Sequence, residues 1–149
     1  MSIMRVALVA LLLSLPSVAF GDPAEEANAV VDRWAAVFSA NDVAAIVSLY
    51  APDAVVLGTV SPTIAQGTEA IRTYFSRLSG SGSKVAIGER RTIVVNDAAV
   101  ASAGFYDFTT IRDGQPVSNP SRFTFLVIKR DGQWLIAHHH SSFRPKPVQ

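Results

Sequence analysis

The chain of 149 residues has no cysteine, little excess charge and no long apolar run. The lack of cysteine excludes disulfide bonds, thiolate metal sites and a lipid anchor attached through a thiol. No apolar run reaches the roughly 20 residues that cross a bilayer. Of the 13 basic residues only Arg5 precedes residue 22, so the rest of the chain has as many basic as acidic residues. This balance gives no electrostatic reason to expect nucleic acid or a membrane as a partner.

The first 21 residues have the pattern of a cleaved secretory signal. Arg5 and the amino terminus supply positive charge, and VALVALLLSL supplies a short apolar segment. The small residues Ala19 and Gly21 fit the −3 and −1 positions of a cleavage site. We therefore expect a secreted, periplasmic protein, cut after Gly21, whose residues 22–149 form a single domain.

Three helices are predicted in the first half of this domain. The first begins with Asp22 as N-cap and Pro23 at its first position, and apolar residues then recur at three- and four-residue spacing. The second is capped by Asn41 or Asp42 and carries Tyr50 on its apolar face. The third carries the apolar residues of IRTYFSRL.

The second half of the domain has the pattern of antiparallel strands. Strands are predicted at 84–95, 98–111, 122–130 and 133–142, after a short strand at 54–59 and with RDGQPVSNP as an irregular loop. Asp131-Gly132 is a strong hairpin signal, because both central residues of a type I′ turn need positive φ. Helices followed by strands indicate an α+β domain in which a bent sheet wraps around packed helices.

The two-residue hairpin predicts which side chains of the last two strands share a face. It places His139 opposite Thr124 and Ser141 opposite Arg122, all on one side. One imidazole, one cation and two hydroxyls can bind a small anion and move a proton. The same residues are equally typical of a solvated strand end or a subunit interface, and a bulge would exchange the two faces.

All three histidines of the chain are consecutive, at 138 to 140. Neighbouring strand residues point to opposite faces, so at most His138 and His140 can share an ion. A catalytic zinc usually has three protein ligands, and a carboxylate such as Asp107 or Glu89 would have to complete the set. We therefore expect no metal and no cofactor, with a divalent metal such as zinc or manganese as the alternative.

Two stretches resemble a known family. LGTVSPTIAQGTEAIRTYF (57–75) and SRFTFLVIKRDGQWLIAHHHSSFRP (121–145) are similar to bacterial relatives of the calcium/calmodulin-dependent kinase II association domain. Within that group, GTVS, YF, RFTF and HHSS followed by proline resemble the iota-class carbonic anhydrases. The resemblance implies a nuclear-transport-factor-2-like cone of the SnoaL-like superfamily, with three N-terminal helices packed on a strongly bent antiparallel sheet.

The resemblance implies an enzyme that reversibly hydrates carbon dioxide to bicarbonate, without a metal, in a pocket lined by hydroxyls and imidazole. It implies that the catalytic residues are Thr59, Tyr74, His139 and Ser141. The further candidates for substrate binding are Arg122, Tyr106, His140 and Ser142, the last two replacing His139 and Ser141 if the pleat is shifted. Arg144 departs from the family's usual SSxMP and places a new cation near the rim. The resemblance also implies a homodimer or larger oligomer.

Two other functions remain open. The first is a non-catalytic domain that binds a small anion or builds oligomers, in which Arg122 and Arg144 would matter most. The second is an enzyme of the ketosteroid isomerase or cyclase type, which needs a carboxylate base in its pocket. The candidates for that base are Asp53, Glu69 and Asp107. We also expect the strand face with Trp134, Ile136, Phe123 and Phe125 to need a second copy to cover it.

Overall fold

The computed structural model describes residues 21–146, which form three helices and one sheet of six strands. The helices are α1 (Pro23–Ser39), α2 (Val43–Ser48) and α3 (Thr68–Phe75), the last continued by a 3₁₀ turn (Ser76–Leu78). The strands are β1 (Tyr50–Leu57), β2 (Ala65–Gln66), β3 (Lys84–Asn96), β4 (Ala99–Arg112), β5 (Gln115–Arg130) and β6 (Gln133–Phe143). Residues 1–20 of the predicted secretory signal lie outside the described residues.

The sheet has the strand order β2-β1-β6-β5-β4-β3 and curls around the helices. The predicted α+β cone is confirmed, with one difference: β1 runs parallel to β6, so the sheet is mixed. β1 enters the sheet from the helices and no tight hairpin joins it to β6, so no turn forces the pair to be antiparallel. No helix within residues 21–146 has the length and apolarity needed to cross a membrane.

The helix starts follow the sequence. The side chain of Asp22 accepts a hydrogen bond from the Ala24 amide, and that of Asp42 accepts one from Ala45, both at 2.9 Å. The prediction for Tyr50 is wrong, because α2 ends at Ser48 and Tyr50 begins β1. The carbonyl of Leu49 already accepts a hydrogen bond from the amide of Ile136 in β6, at 2.8 Å. Pairing with the sheet therefore replaces a further helical turn.

Two Asp-Gly turns build the large hairpins. Asp131 and Gly132 have φ of 51° and 78°, which confirms the predicted turn between β5 and β6. Asp113 and Gly114 have φ of 51° and 75° and join β4 to β5 in the same way. The prediction of an irregular loop over RDGQPVSNP is therefore wrong, because everything after this turn continues as β5. Low β-propensity in that stretch is outweighed by pairing with β4.

A β-bulge in β6 overturns the predicted register of the last hairpin. Ile136 pairs with Val127 as expected, but the next pair is His138 with Leu126, which leaves Ala137 without a partner. Beyond the bulge, the residue opposite His139 is Phe125 rather than Thr124. One extra residue changes which side chains point inward. The apolar residues Trp134 and Ile136 before the bulge and the polar residues His139 and Ser141 after it therefore point to the same inner face of the sheet.

The core lies between the inner face of the sheet and the three helices. The strand face expected to need a second copy is instead covered by the helices, and its residues Trp134, Ile136, Phe123 and Phe125 are all buried. Glu26 of α1 accepts hydrogen bonds from the Trp134 indole at 2.6 Å and from Lys129 at 3.1 Å. The exposed apolar patch that suggested a dimer is thus absent from this face, and the dimer itself stays a prediction.

Candidate functional site

A cavity of about 250 Å³ lies inside the cone, bounded by α1, α3 and the inner face of the sheet. Its wall is mainly aromatic, formed by Trp34, Phe38, Tyr74, Phe75, Tyr106 and Phe108. Polar side chains lie at two levels. Thr59, His139 and Ser141 form a cluster in the interior, whereas Arg112 and Asn119 line the part that is open to solvent.

The structure brings together five of the eight side chains predicted from the sequence. The five that line the cavity are Thr59, Tyr74, Tyr106, His139 and Ser141. The other three are Arg122, His140 and Ser142, which line a separate groove on the outer face of the sheet. The predicted pocket that joined Arg122 and Thr124 to His139 and Ser141 is therefore wrong. The bulge at Ala137 is the cause, because it moves Arg122 and Ser141 to opposite faces.

Arg144 also lies away from the cavity. Its guanidinium stacks on the ring of Phe105, 4.0 Å from the ring centre, and Phe105 lines the outer groove. The expectation that Arg144 lies at the rim of the pocket is wrong. The cation at the cavity entrance is Arg112, which sequence reasoning missed because Arg112 is the first residue of the segment predicted as an irregular loop.

The interior cluster is built from three elements that meet at the end of β6. Because β1 runs parallel to β6, the turn after β1 carries Thr59 to Ser141, and their hydroxyls are hydrogen bonded. Tyr106 reaches across from β4, and its hydroxyl donates to the Ser141 oxygen. Tyr74 packs over Gly58 from α3.

His139 is enclosed on every side. Its imidazole stacks on Phe125, with ring centres 3.9 Å apart, and only 3% of the residue is exposed. Nδ1 lies 2.9 Å from the hydroxyl oxygen of Tyr50, and Nε2 lies 3.2 Å from that of Tyr106. Burial, with smaller contributions from His138 and His140, lowers the pKa of His139 to about 3. The imidazole is therefore neutral at physiological pH.

The tyrosines of the site remain protonated. Burial raises the pKa of Tyr74, although a hydrogen bond from the Thr59 backbone partly offsets it. Burial likewise raises the pKa of Tyr106 and, more strongly, that of Tyr50. With a neutral imidazole and protonated phenols, the interior cluster presents dipoles rather than charges at neutral pH. Such groups act by donating and accepting hydrogen bonds.

Among residues 21–146, no carboxylate side chain lines this cavity. Asp53 forms an ion pair with Arg130 at 2.6 Å, and Glu69 and Asp107 are exposed, so none of the three candidate bases lines it. Within residues 21–146 no group of three or more histidine and carboxylate side chains is placed to hold a metal. Both ring nitrogens of His139 already have tyrosine partners. Neither the cavity nor the outer His138 and His140 fit a zinc or manganese site.

Trp34 and Tyr50 are site residues that sequence reasoning missed. Both have the spacing of core residues on helices, which hides the hydrogen bond that the Trp34 indole donates to the Tyr50 hydroxyl at 2.9 Å. The sequence also contains a signal for the orientation of Tyr106, which was predicted as a site residue without a register. The Asp113-Gly114 dipeptide sets the β4–β5 register and would have placed Tyr106 opposite Ser121 on the inner face.

Comparisons with known proteins agree with this architecture. A family model described as a SnoaL-like domain matches residues 27–145. A structure assigned as a calcium/calmodulin-dependent protein kinase II association domain from Xanthomonas campestris is 33% identical, covers 94% of this chain and 100% of its own, and has a TM-score of 0.78. A search of curated proteins gave no significant match.

Two more distant structures share the fold alone. An NTF2-like protein with a cystatin-like fold from Novosphingobium aromaticivorans is 15% identical, with 83% of each chain covered and a TM-score of 0.71. A ketosteroid isomerase-like protein from Erwinia carotovora atroseptica is 17% identical, covering 85% of this chain and 100% of its own, with a TM-score of 0.72. Neither likeness extends to function.

Gly58 is predicted to be essential for the position of Tyr74. A Cβ at residue 58 would overlap the end of the Tyr74 ring, so Gly58→Ala should destabilise the protein by about 1–3 kcal/mol through overpacking. Denaturant unfolding measures this cost. In a Tyr74→Ala background the overlap is gone, and the same substitution should cost much less. Equal costs in the two backgrounds would contradict the proposed contact.

His139 is predicted to make the protein less stable in acid. The unfolded chain takes up a proton at His139 near pH 6.5, whereas the folded chain does so only near pH 3. Stability should therefore be complete above about pH 6.5 and fall as the pH decreases towards 3, by up to about 5 kcal/mol. Unfolding measured between pH 4 and 8 tests this. His139→Gln should flatten the pH dependence and the matched exposed control His140→Gln should retain it; identical slopes would count against the assignment.

Proposed function

The chain belongs to the SnoaL-like domain family, and from this premise we propose that its cavity is the active site of a carbonic anhydrase of the iota type. One observation carries the proposal. Thr59, Tyr74, His139 and Ser141, the residues to which the resemblance assigns catalysis, all line one cavity together with Tyr106. These side chains come from three separate parts of the sequence, namely the turn after β1, α3 and β6, so spacing explains only why His139 and Ser141 share a face.

The cavity suits the chemistry of carbon dioxide hydration. Carbon dioxide is linear and apolar, and the aromatic wall provides a site for it. A volume of about 250 Å³ holds this molecule with several waters, since a water occupies about 30 Å³. As the oxygen of water bonds to carbon, an electron pair of one C=O bond moves to its oxygen. The hydroxyl cluster of Thr59, Tyr74 and Ser141 stabilises the charge that develops there.

The proton released in this step leaves the cavity. His139 is neutral with a pKa of about 3, and the phenols hold their protons, so no group of the interior cluster takes up a proton at neutral pH. Either the attacking water passes its proton to a buffer base at the entrance, or hydroxide attacks directly and no proton is released. In both cases bicarbonate is the product and atoms and charge balance.

Purified residues 22–149 should accelerate carbon dioxide hydration in a stopped-flow assay with a pH indicator. Loss of one aimed hydroxyl donor typically costs about 10²–10³ in rate, and we expect losses in this range for Ser141→Ala and Thr59→Val. Ser142→Ala is the matched control, because Ser142 lies next in sequence but on the outer face. A rate no higher than the buffer blank would refute the proposal, and equal losses at residues 141 and 142 would refute the site.

The hydration rate should also survive metal removal. The cavity offers hydroxyls and one fully bonded imidazole, a donor set that zinc and manganese do not favour. Exhaustive dialysis against a chelator, followed by metal analysis and the same assay, should leave the rate unchanged. Loss of activity that one metal restores would replace this mechanism with a metal-dependent one.

A second candidate is a domain that binds a small anion without catalysis. The observation in its favour is Arg112, the one charged side chain among residues 21–146 that lines the cavity, with Asn119 beside it at the open end. Calorimetric titration with bicarbonate or acetate would show binding that Arg112→Gln abolishes and Ser141→Ala preserves. Under the enzyme proposal Ser141→Ala reduces turnover.

The secretion signal and the oligomer belong to the same proposal. We infer that residues 1–21 direct export to the periplasm, where the mature chain acts on carbon dioxide and bicarbonate as a homodimer or larger assembly. The cleavage pattern at Gly21 supports this compartment. Mass spectrometry of the exported chain and light scattering of the purified protein measure the two properties.

A further inference from the structure

We propose that Trp34 and Tyr50 are positioning residues that fix His139 as the tautomer with its proton on Nε2, so that the interior cluster presents hydroxyl donors to an oxygen-rich small ligand. This inference deepens the proposed function and concerns the same site. It depends on the direction of each hydrogen bond in a buried series of side chains that runs from Trp34 through Tyr50 and His139 to Tyr106 and Ser141.

The direction is set at Trp34. An indole nitrogen can only donate a hydrogen bond, and the Trp34 nitrogen lies 2.9 Å from the Tyr50 hydroxyl oxygen. Both residues are buried, with 1% and 6% of their surfaces exposed. The Tyr50 oxygen is therefore an acceptor towards Trp34, and its own proton must find a partner elsewhere.

The partner for that proton is Nδ1 of His139. Among residues 21–146 the Tyr50 hydroxyl has two hydrogen-bond partners, the Trp34 indole and His139 Nδ1 at 2.9 Å. If Nδ1 carried a proton and donated it, the Tyr50 proton would be buried without an acceptor, at a cost that disfavours this arrangement. Tyr50 therefore donates to Nδ1. A neutral imidazole has one proton, which then lies on Nε2.

The series of hydrogen bonds continues from Nε2 of His139 towards the cavity. Nε2 donates to the Tyr106 oxygen at 3.2 Å, and Tyr106 donates to Ser141. Ser141 and Thr59 share one hydrogen bond. Two hydroxyls have two protons, so whichever of them donates, one proton remains for a ligand. Tyr74 lines the same cavity and adds a second hydroxyl.

This order of donors changes the role of His139. Nδ1, the only ring nitrogen with a free lone pair, accepts from Tyr50, and Nε2 carries a proton, so neither nitrogen is available to accept a proton from a ligand. The groups that face the imidazole are aromatic or hydroxyl: Trp34 from α1, Tyr50 from β1, Tyr106 from β4 and Phe125 from β5. His139 therefore orients the hydroxyls rather than removing a proton from substrate. The cavity selects ligands rich in acceptor oxygens, such as bicarbonate or a small carboxylate.

Nitrogen-15 NMR of the full mature chain tests the tautomer directly. A long-range proton–nitrogen spectrum distinguishes a protonated ring nitrogen from an unprotonated one, and the loss of signals in His139→Gln identifies this residue. We expect the proton on Nε2 and the unprotonated signal from Nδ1. A wild-type spectrum with the proton on Nδ1, or an equal mixture, overturns the proposal without any variant.

Two substitutions test what fixes the tautomer. Tyr50→Phe removes the donor to Nδ1, and Trp34→Phe frees Tyr50 to accept from the ring, so both should move proton population from Nε2 to Nδ1. Trp134→Phe is the matched control, because the Trp134 indole donates to Glu26 and takes no part in the hydrogen-bond network of His139. This substitution should leave the His139 spectrum unchanged. An unchanged tautomer in folded Tyr50→Phe, checked by its amide spectrum, contradicts the role of Tyr50.

The activity measurement is read separately. Tyr50→Phe should lower the hydration rate by at least about tenfold, because the donors lose their fixed orientation, while Trp134→Phe retains it. If the wild-type tautomer is as expected and no hydration occurs, the proposed function fails and the tautomer assignment stands. If hydration occurs and the proton lies on Nδ1, the assignment fails and the proposed function stands.

Discussion

The buried indole of Trp34 is the contact on which the interior of the cone depends. It lies in α1 and touches five rings, one from α1 itself and four from four other elements: Phe38, and then Phe75, Tyr106, Phe125 and His139. A buried indole nitrogen needs an acceptor, and Tyr50 of β1 supplies it. One side chain therefore provides packing for the core and a directional constraint for the polar cluster beside it.

The features that the sequence predicted are those decided by neighbouring residues. Asp22 and Asp42 cap helices because their side chains reach amides two or three residues ahead. Asp131-Gly132 forms its turn because both residues accept positive φ. Together with the alternation of apolar residues, these local signals suffice for the α+β cone. The choice of Thr59, Tyr74, His139 and Ser141 as site residues came instead from the family resemblance.

The predictions that were wrong concern features that depend on contacts between residues distant in sequence. Tyr50 has the spacing of a helical residue, yet pairing with β6 removes it from the helix. No pattern in WLIAHHHSS marks Ala137 as the unpaired residue, because the bulge arises where β6 must pair with β5 on one side and the parallel β1 on the other. The missed turn at Asp113-Gly114 is different in kind. Its signal was present and equal to the one at Asp131-Gly132, and a strict use of the same rule would have predicted β4 and β5.

The bulge at Ala137 means that the site is specified by a count of residues as well as by their identities. The inward positions of β6 have one parity before the bulge and the other parity after it. Removal of the extra residue Ala137 would make the strand regular and leave the histidine inward opposite Phe125, whereas removal of one residue with the bulge retained would turn it outward. Histidines that align by letter in two relatives are therefore equivalent only when the number of residues back to the turn is compared together with the presence of the bulge. For this fold, comparison of strand length comes before comparison of motifs.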